Sequence, residues 1–183
     1  MLLHRIRTVI AYFVGLLFIA WAFIFCRSFK ISGPLRCYGW SNFRCADGEI
    51  RIGRGVRFGR IKIILSGGGR LILEDGVSLN DGVVLGVMSE IKIGKNTAIA
   101  ENVMIRDYDY DFSDVEIGNH PDRYIVRKIT IGQGCWLGFG CIVLKGIEIE
   151  DGVIVGAGTV VTKSLAVGEV VAGNPLRIIR KRF

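Results

Sequence analysis

At 183 residues the chain is one domain's worth, long enough for a sizeable core, and its 25 glycines against 3 prolines, with half the residues apolar, exclude a helical bundle and a disordered chain alike. The formal charge of +7 is local: residues 1–70 hold 12 Lys/Arg against 2 Asp/Glu, whereas residues 71–183 hold 12 against 15. The body therefore lacks the basic groove of a nucleic-acid binder, and no nucleic-acid partner is expected.

In chain order the first element is an apolar run. From Val9 to Cys26, "VIAYFVGLLFIAWAFIFC" runs 18 residues without a charge, about the minimum that spans a bilayer as a helix. Residues 1–30 are expected to form a membrane anchor. The run continues through "AWA" (residues 20–22) instead of turning polar, which argues against a cleaved signal. A buried or interfacial helix is the other reading. Two Lys/Arg precede the segment, while Arg27, Lys30, Arg36 and Arg44 follow it, which places the body on the cytoplasmic side of the inner membrane, anchored by one pass or peripherally. Residues 31–49 read as a linker leading into the body. Arg51, Arg54, Arg57, Arg60 and Lys62 continue the basic surface, either against anionic lipid or as an ordinary solvated face.

From residue 50 to 166 the chain repeats. Ile52, Leu73, Leu79, Leu85, Ile93, Ile99 and Ile105, then Ile131, Leu137, Val143, Ile149, Val155 and Val161, each begin a six-residue unit. Three residues later come Gly55, Gly76, Gly82, Asn96, Asn102, Gly134, Gly140, Gly146, Gly152 and Gly158. Gly and Asn enter the left-handed backbone region at little cost, so a turn of positive φ is predicted at each. Neither a 3.6-residue nor a two-residue period fits, and a parallel β-solenoid with one continuous aliphatic core remains. Cys135 and Cys141 fall on its core positions as small hydrophobes. The odd count of five cysteines makes no disulfide framework, and Cys37 and Cys45 read as reduced thiols that could pair on export.

Between Ile105 and Ile131 the register slips by 26 residues instead of six. Most of residues 107–128, "DYDYDFSDVEIGNHPDRYIVRK", must therefore project as a loop, where chemistry is usually placed. Residues 167–183 form a tail outside the repeat.

The segment "ITIGQGCWLGFGCIVLKGIEIEDGVIVGAGTVVTKSLAVGEVVAGNPLRIIRKR" resembles the C-terminal coils and tail of the hexapeptide-repeat acyltransferases, in their sugar O-acetyltransferase branch. The non-repeat ending "VVAGNPLRIIRK" strengthens the likeness, since a generic solenoid has no reason to carry it. The resemblance implies an all-β fold, a left-handed parallel β-helix, closed by a short C-terminal tail. It also implies a homotrimer with acetyl-CoA between neighbouring prisms, no metal, and a sugar or lipid-linked saccharide as acceptor. Carried over by position, the pantetheine arm runs past Gly138, Phe139, Gly156 and Ala157, while Lys163, after Thr162, and Arg177 meet the CoA phosphates, a role suited to both cations.

In this family a loop histidine deprotonates the acceptor. Here Tyr108 and Tyr110 stand where relatives with Asp-His-Asp-His-Asp-Tyr carry histidines, and a second register puts Asp111 at the base. A tyrosine of pKa about 10 or an aspartate of about 3.9 is a poor base at neutral pH. The body's one histidine, His120 in "GNHPDR", is the candidate base, with Asp107, Asp109 and Asp111 as candidate orienters or turn residues. The alternative is a solenoid that has lost its base and serves as a scaffold or regulatory partner. One body histidine excludes the three-histidine zinc site known on this architecture.

Overall fold

The computed structural model describes residues 2–39, 41–45, 47–116, 119 and 121–183, with side chains from Ile6 onward. Helix α1 (Leu2–Phe25) is followed by short strands that pair in parallel, save for one antiparallel strand at the C-terminal end of side B, into three sheets, sides A, B and C, of six, eight and six strands. Each turn of the chain contributes one strand to each side, making six coils over residues 28–45, 49–65, 70–87, 90–106, 129–143 and 148–161. This is a parallel β-solenoid, in keeping with the left-handed β-helix.

The hexad positions stack into columns. Ile52, Leu73, Ile93, Ile131 and Ile149 stand in register on side A, and Phe58, Leu79, Ile99, Leu137, Val155 and Val171 on side B. All are 2 % exposed or less, so each coil covers the next and no coil is stable alone. Cys135 and Cys141 lie in this core, where burial pushes both thiols up and makes them inert.

All ten corner residues predicted to take positive φ do so, between 55° and 77°. Asn96 and Asn102 serve at coil four, and each stacks on a glycine, Gly76 or Gly82, where a Cβ would collide with the asparagine amide. Carboxylates staple the corners from the next coil: Asp75 accepts from the Arg54 N–H, Asp81 from Arg60 and Asp151 from Gln133, at 2.7–2.9 Å.

The solenoid begins earlier than the hexads suggest. Residues 31–49, expected as a linker, supply most of coil one: Ser28–Ile31 pairs with Glu49–Ile52 and Asn42–Cys45 with Lys62–Leu65. Here a coil takes 21 residues (Ile31 to Ile52) and not the 18 that separate Ile131 from Ile149. The longer corners hide the period. At the other end, Glu169–Ala172 extends side B and Arg177–Lys181 returns antiparallel on it.

Helix α1 is docked on the open end of the prism. Ala11, Phe18 and Ala22 are buried, and the Phe18 ring meets Phe29 of side A, Phe43 of side C and Phe58 of side B at 6.0, 4.2 and 5.8 Å. A Cβ at Gly15 would collide with the Leu35 carbonyl. One aromatic side chain thus plugs a core that would otherwise open to solvent, an edge problem every solenoid must solve.

Candidate functional site

The projecting segment is a two-stranded hairpin. Tyr108–Tyr110 pairs antiparallel with Tyr124–Val126, leaving the prism at the corner between sides C and A of coil four. Its base is set by Asp107. This carboxylate is fully buried and accepts hydrogen bonds from the Met88 and Ser89 N–H groups, both 2.8 Å, while the Asp107 carbonyl accepts from the Arg127 N–H at 2.8 Å. Burial pushes its carboxyl up against the pull of these donors. Sealed from solvent, Asp107 positions the hairpin and cannot reach an acceptor.

Beyond the base the hairpin is aromatic. Tyr110 lies 4.9 Å from Tyr124, Tyr108 meets Tyr124 edge-on at 5.6 Å, and Phe112 stands 6.3 Å from Tyr110. Arg106 sits over the Tyr108 ring. Tyr110, Phe112 and Tyr124 remain exposed, an amphipathic surface of the kind that stacks on ligands. A hydrogen bond with Tyr110 pushes the Tyr124 phenol up. Asp111 accepts from the Ser113 N–H and hydroxyl at 3.0 and 2.7 Å, which hold its carboxyl below the usual range. It is therefore a turn former that stays ionised and is weakly basic. His120 lies outside the described residues.

The residues matched to the cofactor fall on two edges. Gly138 and Phe139 of coil five and Gly156 and Ala157 of coil six stack along the corner between sides B and C, and Ala172 of the tail continues that column, with Arg177 paired beside it. Thr162 and Lys163 sit at the corner between C and A, below the hairpin. Phe139, Ala157, Thr162, Lys163 and Arg177 are exposed.

The need for glycine at Gly138 and Gly156 is not the turn requirement, since neither takes positive φ. A Cβ on Gly138 would lie 2.8 Å from the Ala157 N and 2.9 Å from the Val155 O, and one on Gly156 would lie 2.9 Å from the Ala172 Cβ. Coil-to-coil approach excludes a side chain there, with Gly138 itself buried and Gly156 half-buried. Lys145 escaped sequence reasoning. It pairs with Asp109 of the hairpin at 3.6 Å, and it stands one coil before Lys163 at the same phase, a signal the repeat could have given.

Residues 128–163 match the family model described as the hexapeptide repeat of succinyl-transferase. The chain is 34 % identical over 143 residues, 74 % of this chain and 73 % of the relative, to an Escherichia coli K12 protein provisionally named lipopolysaccharide biosynthesis O-acetyl transferase WbbJ. It is 31 % identical over 152 residues, 81 % of this chain and 79 % of the relative, to one from the same organism provisionally named colanic acid biosynthesis acetyltransferase WcaF. Among solved structures, AntD, an N-acyltransferase from Bacillus cereus in complex with dTDP and 3-hydroxybutyryl-CoA, shares the fold. Its TM-score is 0.71 at 21 % identity, over 90 % of this chain and 88 % of that one.

Proposed function

Because the chain belongs to the hexapeptide-repeat O-acetyltransferases, we propose that it moves an acetyl group from acetyl-CoA to a saccharide hydroxyl in surface or extracellular polysaccharide synthesis. It does so as a homotrimer at the cytoplasmic face of the inner membrane. The observation that carries this reading is the division of the site residues between two edges of one prism, with side C between them. A ligand touching both sets lies between two copies. Side A is unsuited to a subunit contact, being laced with ion pairs such as Arg70–Glu90 and Lys92–Glu74. The outward residues of sides B and C are apolar in the later coils: Ala98, Trp136 and Ile154, then Met104, Ile142 and Val160.

In this reading acetyl-CoA runs along Gly138, Phe139, Gly156 and Ala157, with Thr162, Lys163 and Arg177 toward its phosphates. His120 takes the proton of the acceptor hydroxyl, for which a neutral imidazole of pKa about 6.5 is suited at pH 7. The oxygen attacks the thioester carbonyl carbon, the tetrahedral adduct collapses, and the C–S bond breaks to release CoA, whose thiolate takes up a proton. Tyr110 and Asp111 border the acceptor. The chain's own residues support His120 as the base by elimination: Asp107 is sealed, and Asp111 is held low by Ser113.

The test is incubation of the full chain with acetyl-CoA and a lipid-linked saccharide, reading CoA thiol release and acetyl on the sugar. The product ester should be lost in mild alkali, as an amide would not be. A folded trimer that transfers nothing to any saccharide supports the scaffold reading, which the tyrosines at the usual histidine places favour.

A further inference from the structure

The apolar helix is seated on the solenoid in a way that decides how it can meet lipid. Its buried positions, Ala11, Phe18 and Ala22, with Gly15 against Leu35, run through the middle of the apolar segment Ile6–Phe25. Its partners Phe29, Leu35, Cys37 and Phe43 belong to coil one, with Phe18 also reaching Phe58 of coil two through the open end, so α1 crosses the end of the prism. A spanning helix would hold its midpoint at the bilayer centre, and would carry coil one there too.

Coil one cannot enter hydrocarbon. It bears Lys30 on side A, Arg36 on side B and Arg44 on side C, and coil two repeats the collar with Arg51, Arg57 and Lys62. Lys30 stacks on Arg51, which pairs with Glu49 at 2.6 Å, whereas Arg36 stacks on Arg57, like charges directly opposite, an arrangement that is unfavourable unless an anionic partner neutralises it. Among the described residues no carboxylate pairs with Lys30, Arg36, Arg44, Arg57 or Lys62. From Val9 to its end the outer face of α1 carries no charge: Val9, Phe13, Leu16 and Ile24 are 62–73 % exposed, and only 22 % of the segment is buried. Tyr12 on the helix and Tyr38 on coil one are both exposed, and tyrosine is a residue type enriched at bilayer interfaces. A crevice of about 200 Å³ between α1 and coil one is lined by Val14, Leu17, Trp21, Cys37 and Phe43.

From these observations we infer that α1 is an in-plane membrane dock: it lies in the cytoplasmic leaflet of an anionic bilayer without crossing it, and the basic collar rests on the phospholipid headgroups, holding the solenoid axis along the membrane normal. An apolar face below and basic residues at the rim is the pattern that binds such surfaces. One corollary rests on the O-acetyltransferase reading. The hairpin leaves at coil four, three coil steps or roughly 14 Å beyond the docked end, so the acceptor is a lipid-linked saccharide acetylated on a sugar held off the membrane.

Two measurements on the full chain test the dock, neither of which depends on activity. In flotation, the chain should bind vesicles of phosphatidylethanolamine with phosphatidylglycerol at least about tenfold better than phosphatidylcholine vesicles. Phe13→Lys with Leu16→Lys should lower binding about 100-fold while leaving the thermal transition unchanged, since both side chains already face outward. In spheroplasts, an epitope tag before Met1 should resist added protease and be cut only after lysis. A tag cut in intact spheroplasts would mean a spanning helix and would overturn the proposal. Failure to bind either vesicle, with assemblies larger than a trimer, would show the face covered by a second copy and overturn it equally. If docking holds but free and lipid-linked acceptors react alike, the corollary fails and the dock stands.

Discussion

The corner asparagines permit a quantitative test of how the coils are wound. Gly158 has φ +67° and a Cβ added there would meet nothing within 4 Å, whereas Gly82 has φ +77° and faces the amide of Asn102 in the next coil. Gly158→Ala should therefore carry only the left-handed backbone penalty, roughly 1–2 kcal/mol. In a chain of this size that lowers Tm by about 2–8 °C. Gly82→Ala carries the same penalty and must also displace the Asn102 amide, an excess of about 1 kcal/mol. In an Asn102→Gly background that excess should vanish, because the colliding group is gone. Gly158→Asn should lose less than Gly158→Ala, since Asn96 and Asn102 hold the equivalent corner natively. Thermal melts of the five variants by circular dichroism measure all of this. Equal losses for Gly82→Ala and Gly158→Ala, or no relief from Asn102→Gly, would refute the stacked-corner reasoning.

His120→Ala should lower kcat by about 10²–10⁴ with the melting transition unchanged, as expected of a general base; a loss below tenfold would move the base elsewhere. Lys163→Ala combined with Arg177→Ala should raise KM for acetyl-CoA more than tenfold with little change in kcat, the signature of groups that grip phosphate remote from the reaction. Asp107→Ala leaves the Met88 and Ser89 N–H groups without their acceptor. That costs about 1–3 kcal/mol per group, and activity should fall further than stability because the hairpin loses its fixed exit. Asp81 accepts from the Arg60 N–H, and its carboxyl is held below the usual range. Its contribution is therefore fully present above the unfolded pKa of about 3.9 and lost as pH falls through the lower folded value. Denaturant melts at pH 5 and pH 3 should show Asp81→Asn flattening that acid loss.

Much of the body could be read from the sequence, because each hexad carries its own aliphatic residue and its own turn former. The ten corners were legible for that reason. Coil one was not: its 21-residue turn spreads the pattern, and cysteines and a phenylalanine stand where later coils have leucine or isoleucine. The docking of α1 was equally hidden, since Gly15 and Phe18 look like any membrane segment until Leu35 and the three phenylalanines around Phe18 are in place. At the site, sequence marked the loop and the bare glycines. It gave no sign that close approach of the next coil is what keeps Gly138 and Gly156 bare, because contact between coils leaves no local signature. Asp107 looked interchangeable with Asp109 and Asp111, yet one is sealed inside the prism, one pairs with Lys145 and one caps a turn.

A site divided between two copies can be tested by mixing inactive chains. His120→Ala removes the base proposed for the hairpin, and Ala157→Trp fills the proposed cofactor edge at an exposed position. Unfolded together in equal amounts and refolded, the two should form random trimers in which about one junction in four joins an intact hairpin to an intact edge. The mixture should therefore recover about a quarter of the native acetyl transfer rate, while each variant alone shows almost none. A mixture as inactive as its components would place the whole site within one chain and contradict the account.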